Sequence, residues 1–238
     1  MPNNYFQFKQ FTVQQERAAL KVSTDSCLFG AWLSEELKTK KVKATLDIGS
    51  GTGLLMLMLA QKVDALIEGI EIDAPSYEQA KENLKASVWS ERLHLFLGDV
   101  KEFSFEKKYD LIISNPPFYE GDLKSEAANR NMAMHDAGLK LDELLKVVDK
   151  NLTDDGWFAV LLPYHRTDKF IAEAIADNLN LIKRTDVKQT INHSFFRTML
   201  LFVRDKPVPQ VNSMSIKDEK NEYTAAFIEL LKDYYLYL

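Results

Sequence analysis

Residues 115–118, Asn-Pro-Pro-Phe, directly follow an apolar run that has the composition of a buried strand. Two adjacent prolines donate no backbone hydrogen bonds, so they end a strand and stiffen the chain that follows. The Asn115 side chain and the Pro116 carbonyl offer two hydrogen-bond acceptors, and Pro117 restricts how they move. Phe118 offers a ring face on which a flat group can stack. This combination suits a clamp for the amino group of a planar substrate.

The chemistry of such an amine explains why these residue types are useful together. An exocyclic amine is a poor nucleophile because its lone pair is delocalised into the ring. Two acceptors that bind its N–H groups would draw the nitrogen toward a tetrahedral state with the lone pair free. Attack of that nitrogen on an electrophile then needs no strong general base. The alternative interpretation is a Pro-Pro turn that only ends a strand.

A glycine-rich turn lies earlier in the chain, between a predicted strand and a predicted apolar helix. Asp47 precedes Gly49, Gly51 and Gly53, which have the spacing G-x-G-x-G. Glycines at a strand-to-helix turn let the backbone bend sharply and approach a ligand at the helix N-terminus. The spacing differs from the G-x-G-x-x-G pattern of dinucleotide-binding folds, and a plain turn is the alternative.

Acidic residues lie at the ends of the next two predicted strands. Glu71 lies about 20 residues beyond the glycines, where an acid can accept hydrogen bonds from both ribose hydroxyls of a nucleotide. Asp73 would point to the same side and is the less favoured candidate. Asp99 follows Gly98 at the end of the third strand. Taken alone, this Gly-Asp pair is weak evidence because it is common in turns.

The elements that must position these residues alternate between strands and helices. Strands are predicted at residues 44–48, 65–72, 92–99, 109–114, 156–163, 181–189 and 195–204. This alternation predicts a doubly wound, mainly parallel α/β sheet, and the last two strands are too close in sequence to be parallel to each other. We expect a single domain, with an N-terminal extension at residues 1–40, a core at 41–205 and a packed tail at 206–238.

Composition narrows the class of protein. The chain has 238 residues, is 46% hydrophobic and carries a net charge of −5, which is typical of a globular protein. An acidic total argues against indiscriminate coating of nucleic acid. Cys27 is the only cysteine, so no disulfide framework is possible.

The sequence also bears on location and metal binding. The N-terminus lacks the pattern of a signal peptide, and the apolar run at 54–60 is too short to cross a bilayer. We therefore expect a cytoplasmic location. The histidines and the cysteine show no metal-ligand spacing, so no metal is predicted.

Three sets of residues resemble known families. The glycine motif with its preceding acid resembles motif I of the class I S-adenosylmethionine-dependent methyltransferases, and Asn-Pro-Pro-Phe resembles the motif of their amino-group branch. The segments at residues 8–32 and 215–236 resemble the corresponding ends of the bacterial tRNA(Val) adenine(37)-N6-methyltransferases. Together these segments cover nearly the whole chain.

This resemblance implies a class I methyltransferase fold with a Rossmann-like sheet of seven strands, S-adenosyl-L-methionine as cofactor, and N6-methylation of adenosine 37 in a valine tRNA. It implies catalytic roles for Asn115, Pro116, Pro117 and Phe118. It also implies that a larger set binds the cofactor: Thr24, Asp25, Asp47, Gly49, Gly51, Gly53, Glu71, Asp99 and Asn115. Asp99 would accept a hydrogen bond from the adenine amino group of the cofactor. The family commonly has glycine where this chain has Ser23 and Ser26, which leaves the geometry around Thr24 and Asp25 open.

Contacts with tRNA are expected from localised basic residues. Two clusters are candidates for phosphate binding: Lys38, Lys40, Lys41 and Lys43, and Lys183, Arg184, Lys188 and Arg197. His135 is a further candidate for contact with RNA. Solvated charged faces and a plain loop histidine are the alternatives.

Four other functions remain open from the sequence. An N6-adenine methyltransferase could act on rRNA or DNA instead of tRNA. Release-factor methyltransferases, which share the clamp, modify a glutamine nitrogen in a protein, but they carry a separate N-terminal helical domain. A cofactor-binding module without turnover is the non-enzymatic alternative, and the intact clamp motif argues against it.

Overall fold

The computed structural model describes residues 3–117 and 139–238. In chain order the strands are β1 Tyr5–Gln7, β2 Thr12–Gln14, β3 Ala44–Ile48, β4 Leu66–Glu71, β5 Leu93–Leu97, β6 Tyr109–Ser114, β7 Leu152–Pro163, β8 Asn180–Thr190, β9 Phe195–Val203 and β10 Gln210–Lys217. The α-helices are α1 Thr24–Glu36, α2 Leu54–Ala60, α3 Ala74–Lys85, α4 Leu141–Asn151, α5 Thr167–Ala176 and α6 Ala225–Leu231.

Eight of the strands form one sheet with the order β10-β8-β9-β7-β6-β3-β4-β5. The seven predicted strands correspond to β3 through β9, and the predicted alternation of strands with helices is confirmed. All neighbours among β3 to β7 pair in parallel, whereas β9 is antiparallel to both β7 and β8. The prediction of a mainly parallel sheet with an antiparallel last pair is therefore confirmed.

Strand β10 corrects the predicted count of seven. It pairs in parallel with β8, becomes the edge strand and adds an eighth strand within the segment predicted as a tail. In its sequence, QVNSMSIK, the first four residues are exposed and only one residue, Ile216, is buried. An edge strand with so little buried surface gives a weak alternating pattern, so its sequence does not stand out.

Two apolar cores cover the two faces of the sheet, because side chains alternate in direction along each strand. In β6, Leu111 and Ile113 pack into the core that includes residues of α1, α2 and α6. Ile112 points the other way, into the core that includes residues of α4 and α5. These near-continuous apolar strands are typical of parallel sheets that are buried on both sides.

The two ends of the chain meet on the α1 face of the sheet. The Tyr234 hydroxyl donates to Ser34 Oγ at 2.8 Å, and the backbone N–H of Lys9 donates to the Tyr234 carbonyl at 2.8 Å. Thr224, a residue type favoured at helix N-caps, accepts a hydrogen bond from the N–H of Phe227 at the start of α6. In the described part of the chain, no helix combines the length and the apolar character needed to cross a membrane.

Candidate active site at the carboxyl edge of the sheet

The glycine loop and the clamp are brought together by the pairing of β3 with β6. Ile48 lies opposite Ser114 in this parallel pair, so the segments that leave the two strands emerge side by side. The Ser114 hydroxyl donates to the Ile48 carbonyl at 2.9 Å and ties the two strand ends together. Carboxyl ends of parallel strands at a change in strand order are the usual ligand-binding edge of such sheets.

The glycine loop has a backbone that other residues adopt with difficulty. Gly49, Gly51 and Gly53 have φ values of 75°, 54° and 78°, in the left-handed region where a side chain is strained. A Cβ atom at Gly49 or Gly51 would meet no atom within 4 Å. The loop therefore presents bare backbone to open space, as a loop that cradles a ligand must.

Glu71 lies at the end of β4 and holds this loop in place. Its carboxylate accepts hydrogen bonds from the backbone N–H groups of Gly51 and Asp73, each at 2.8 Å. The Asp73 carboxylate instead caps α3, where it accepts from the N–H and the hydroxyl of Ser76 at 2.9 and 2.7 Å. The geometry favours Glu71 over Asp73 as the acid that faces the loop.

We expect Glu71→Gln to weaken cofactor binding by about 10- to 100-fold. In the variant an NH₂ group replaces one carboxylate oxygen, and it cannot accept a hydrogen bond from the N–H of Gly51 or of Asp73. The lost hydrogen bond to a charged group is worth about 1.5–3 kcal/mol. Calorimetric titration with S-adenosylmethionine measures the effect. Glu78→Gln, on the exposed side of α3, is the matched control. Equal affinities of a folded Glu71→Gln variant and the wild type would remove Glu71 from the site.

Asp47 lies beneath the loop and is fully buried. Neither carboxylate oxygen has a hydrogen-bond partner among the residues that the structure describes. Burial, together with the smaller effect of the Glu71 charge, raises the pKa of Asp47 from its usual range to about 8. A buried acid without a partner next to an open loop is a candidate for meeting a positively charged ligand.

The clamp residue Asn115 is held by helix α1. Its side-chain nitrogen Nδ2 donates to the hydroxyl of Ser26 at 2.8 Å. Its oxygen Oδ1 is buried and has no partner within the described chain. Pro116 is buried and Pro117 is exposed, whereas Phe118 and the candidate His135 lie outside the described residues. The amide is therefore oriented with a free acceptor oxygen, as the clamp hypothesis requires.

The N-terminus of α1 shows how the two serines are accommodated. Ser23 is the N-cap, with φ −124° and ψ 155°, an extended backbone that any residue adopts. Asp25 accepts a hydrogen bond from Arg197 Nε at 2.8 Å, and the Thr24 hydroxyl contacts Tyr235. No left-handed turn is needed at Ser23, so the backbone conformation there does not depend on the glycine of the family pattern.

Two further contacts were not predicted from the sequence. Ser26 binds the clamp amide, as described above, and Asn83 of α3 donates to the Thr52 carbonyl in the glycine loop at 2.9 Å. Asn83 also bonds the backbone of Gln14 and so ties the loop to β2. The only sequence clue for Asn83 is a polar residue on the apolar side of an otherwise amphipathic helix.

Asp99 lies just beyond β5, beside the end of β4. The Gly98 N–H donates to the Glu71 carbonyl at 2.9 Å, which places Asp99 at the same edge as the glycine loop. Its Oδ1 accepts from the N–H of Lys101 at 2.9 Å, and its Oδ2 lies 3.5 Å from the Lys101 Nζ. The predicted adenine-binding role of Asp99 stays a prediction.

The two basic clusters lie in different places. Lys43 immediately precedes β3 and its N–H donates to Asp110 at the start of β6, so the cluster at residues 38–43 lies at the amino edge, opposite the clamp. Lys188 and Arg197 lie at the carboxyl edge, where Val187, Arg197 and Pro163 share one level of the sheet.

Several of these cations already have acidic partners. Lys38 pairs with Glu35, Lys40 with Asp155, Lys183 with Glu36, and Arg184 with Asp168 and Asp186. An ion pair cancels much of the field that would attract a phosphate. Lys188 is different: its ammonium lies 5.0 Å from the centre of the Phe195 ring, and no acidic partner is recorded for it in the described chain.

The residues at this edge fit S-adenosylmethionine. The bare loop backbone at Gly49 and Gly51 leaves space for the cofactor, and Glu71 is positioned at the end of β4 where an acid can bind a ribose. The unpartnered Asp47 carboxyl suits the cationic part of the cofactor. No group of three or more potential metal ligands occurs among the described residues.

Solved structures share the fold at low sequence identity. Protein Atu636 of Agrobacterium tumefaciens, titled a predicted O-methyltransferase, matches with a TM-score of 0.68 at 12% identity, over 88% of this chain and 96% of that one. The CcbJ methyltransferase of Streptomyces caelestis matches with a TM-score of 0.56 at 12% identity, over 77% of this chain and 93% of that one. The predicted class I methyltransferase fold is confirmed.

Sequence comparison is more specific. Residues 28–157 match the family model of the methyltransferase small domain. The protein of Flavobacterium psychrophilum named tRNA1(Val) (adenine(37)-N6)-methyltransferase is 39% identical, over 97% of this chain and 99% of its own. The protein of that name from Pectobacterium carotovorum is 37% identical, over 98% and 94%. This chain belongs to the family of tRNA1(Val) (adenine(37)-N6)-methyltransferases.

Proposed function

We propose that this protein transfers a methyl group from S-adenosylmethionine to the N6 nitrogen of adenosine 37 in a valine tRNA. The observation that carries the proposal is the oriented Asn115 amide, whose free, buried oxygen lies beside the glycine loop. The names of the relatives supply the acceptor, since they specify adenine 37 of tRNA1(Val).

Each residue of the site has a part in this reaction. The backbone of the glycine loop and the Glu71 carboxylate hold the cofactor, and Asp47 neutralises its positive charge. Asn115 Oδ1 and the Pro116 carbonyl accept the two N–H groups of the adenine amine. These bonds strengthen as the nitrogen becomes tetrahedral, so they stabilise the transition state more than the ground state. Phe118 is proposed to stack on the base.

The proposed transfer needs no reactant other than the cofactor, the adenine and water. The cofactor supplies an electrophilic methyl group on a sulfonium sulfur. The N6 lone pair forms the new N–C bond while the S–C bond breaks, and the electron pair stays on sulfur. The methylated nitrogen then carries one proton in excess and releases it to water. No strong general base is required.

The surface beside the clamp has the chemistry of a single-stranded RNA contact. The Tyr164 and Phe195 rings lie 5.1 Å apart at the carboxyl edge, and Lys188 lies over Phe195. Aromatic rings with adjacent cations bind unpaired bases and the phosphates that join them. Adenosine 37 lies in the anticodon loop, so it can enter a pocket without breaking a duplex pair.

The acceptor can be tested directly. The protein is incubated with isotopically labelled S-adenosylmethionine in four separate reactions, each with one acceptor: tRNA, rRNA, duplex DNA or a release factor. Mass spectrometry of digested nucleosides and peptides then locates the label. We expect N6-methyladenosine in valine tRNA. Label confined to rRNA, DNA or a glutamine nitrogen would establish one of the rival acceptors, and cofactor binding without transfer to any of them would support the binding-module alternative.

We expect Lys188→Glu to raise the KM for tRNA by roughly 3- to 10-fold with little change in kcat. The substitution reverses one charge beside the phosphates of the bound anticodon loop. Lys41→Glu, at the opposite edge of the sheet, is the comparison. Steady-state kinetics at two salt concentrations measures both. A larger KM effect for Lys41→Glu would show that tRNA runs along the amino edge. Lys183 and Arg184 are poorer probes because charge reversal there breaks ion pairs and lowers stability.

We also infer that the chain is one methyltransferase domain and acts in the cytoplasm. The contacts of Tyr234 with Ser34 and Lys9 support packing of both ends on the core. A tRNA substrate and the composition of the chain support the location.

A further inference from the structure

Four polar side chains connect Asn115 to strand β9. Ser26 Oγ accepts from Asn115 Nδ2 at 2.8 Å and lies 2.8 Å from the Ser23 hydroxyl. The Ser23 hydroxyl donates to the Asp25 carboxylate, which accepts from Arg197 Nε at 2.8 Å. Ser26 is only 8% exposed, so water has little access to its hydroxyl.

The direction of each hydrogen bond in this series is fixed. The Asp25 carboxylate, paired with the Arg197 guanidinium, can only accept, so the Ser23 hydroxyl uses its proton on Asp25. The Ser26 hydroxyl must then donate to Ser23. Its oxygen is left to accept, and the group that donates to it has to be the NH₂ of Asn115.

This direction decides which end of the Asn115 amide faces the acceptor. If the amide were rotated by 180°, Oδ1 would meet the Ser26 oxygen, whose proton is already donated to Ser23. The observed orientation leaves Oδ1 buried, without a partner in the described chain and available to accept an N–H group. We infer that Ser26 is a positioning residue that fixes the Asn115 amide with its oxygen toward the acceptor amine. This inference rests on the proposed function.

The test combines kinetics with a double-mutant cycle on the full-length protein. Ser26→Ala should lower kcat by roughly 3- to 10-fold, the value of one neutral hydrogen bond, and leave the KM values for tRNA and cofactor unchanged. In the Asn115→Ala background, Ser26→Ala should have no further effect, since the amide that it orients is gone. Ser34→Ala removes another buried hydroxyl of α1, away from the clamp, and is the matched control.

A second readout does not depend on the acceptor. The Asn115 side-chain NH₂ signal, assigned by its loss in Asn115→Ala, should exchange slowly with solvent in the wild type and rapidly in Ser26→Ala. An unchanged signal, or an equal loss of kcat in both backgrounds, would overturn the inference. If the wild type fails to methylate tRNA, the proposed function is wrong, and the NH₂ signal still decides the role of Ser26.

Discussion

Asn115→Ala is expected to lower kcat by about 10²–10³-fold while the affinity for S-adenosylmethionine changes less than about threefold. The substitution removes an acceptor whose hydrogen bond tightens only as the amine becomes tetrahedral, and loss of one such preorganised bond costs about this much in other enzymes. Single-turnover transfer to tRNA measures the rate, and calorimetry measures cofactor affinity.

The matched control for this variant is Asn212→Ala, an exposed asparagine of the edge strand β10. It removes the same chemical group far from the clamp and should leave both quantities unchanged. A kcat within about threefold of the wild type for folded Asn115→Ala would rule out the clamp mechanism. A parallel loss of cofactor affinity would instead mean that Asn115 acts through the cofactor site, as the family resemblance allows.

Features that depend only on residues close together in the sequence were predictable. The left-handed glycines, the strand that ends in Glu71 and the Thr224 cap each follow from local preferences. That the glycine loop and the clamp lie at the same edge also follows, because β3 and β6 are parallel, but their direct adjacency depends on the strand order, in which β6 lies beside β3.

Contacts between residues that are far apart in the sequence were not predictable in this way. Ser26 meets Asn115 across 89 positions, and nothing in a serine on an apolar helix indicates a partner so distant. Charge alone makes the cluster at residues 38–43 a candidate for contact with RNA. Its position at the amino edge follows from the direction of β3, and the ion pair of Lys183 with Glu36 depends on how α1 packs on β8.

Asp47 is also expected to make the free energy of unfolding strongly dependent on pH. Its pKa is about 8 in the folded protein against an ordinary value of 3.8, because burial and Glu71 disfavour the charge. Between these values the folded state holds a proton that the unfolded state has lost. The free energy of unfolding therefore falls as pH rises from about 4 to about 8, by up to about 1.4 kcal/mol per pH unit.

Asp47→Asn removes this titration, so without cofactor the variant should resemble the wild type near pH 4 and become more stable than the wild type as the pH rises, by several kcal/mol near pH 8. Urea unfolding at several pH values measures the difference, with exposed Asp64→Asn as the control. Since the cofactor is positively charged, it should favour the ionised carboxylate. Wild-type affinity should then rise by up to about tenfold per pH unit between pH 6 and pH 8, and the variant should lose this rise. A pH-independent affinity in the wild type would show that Asp47 does not meet the charge of the cofactor.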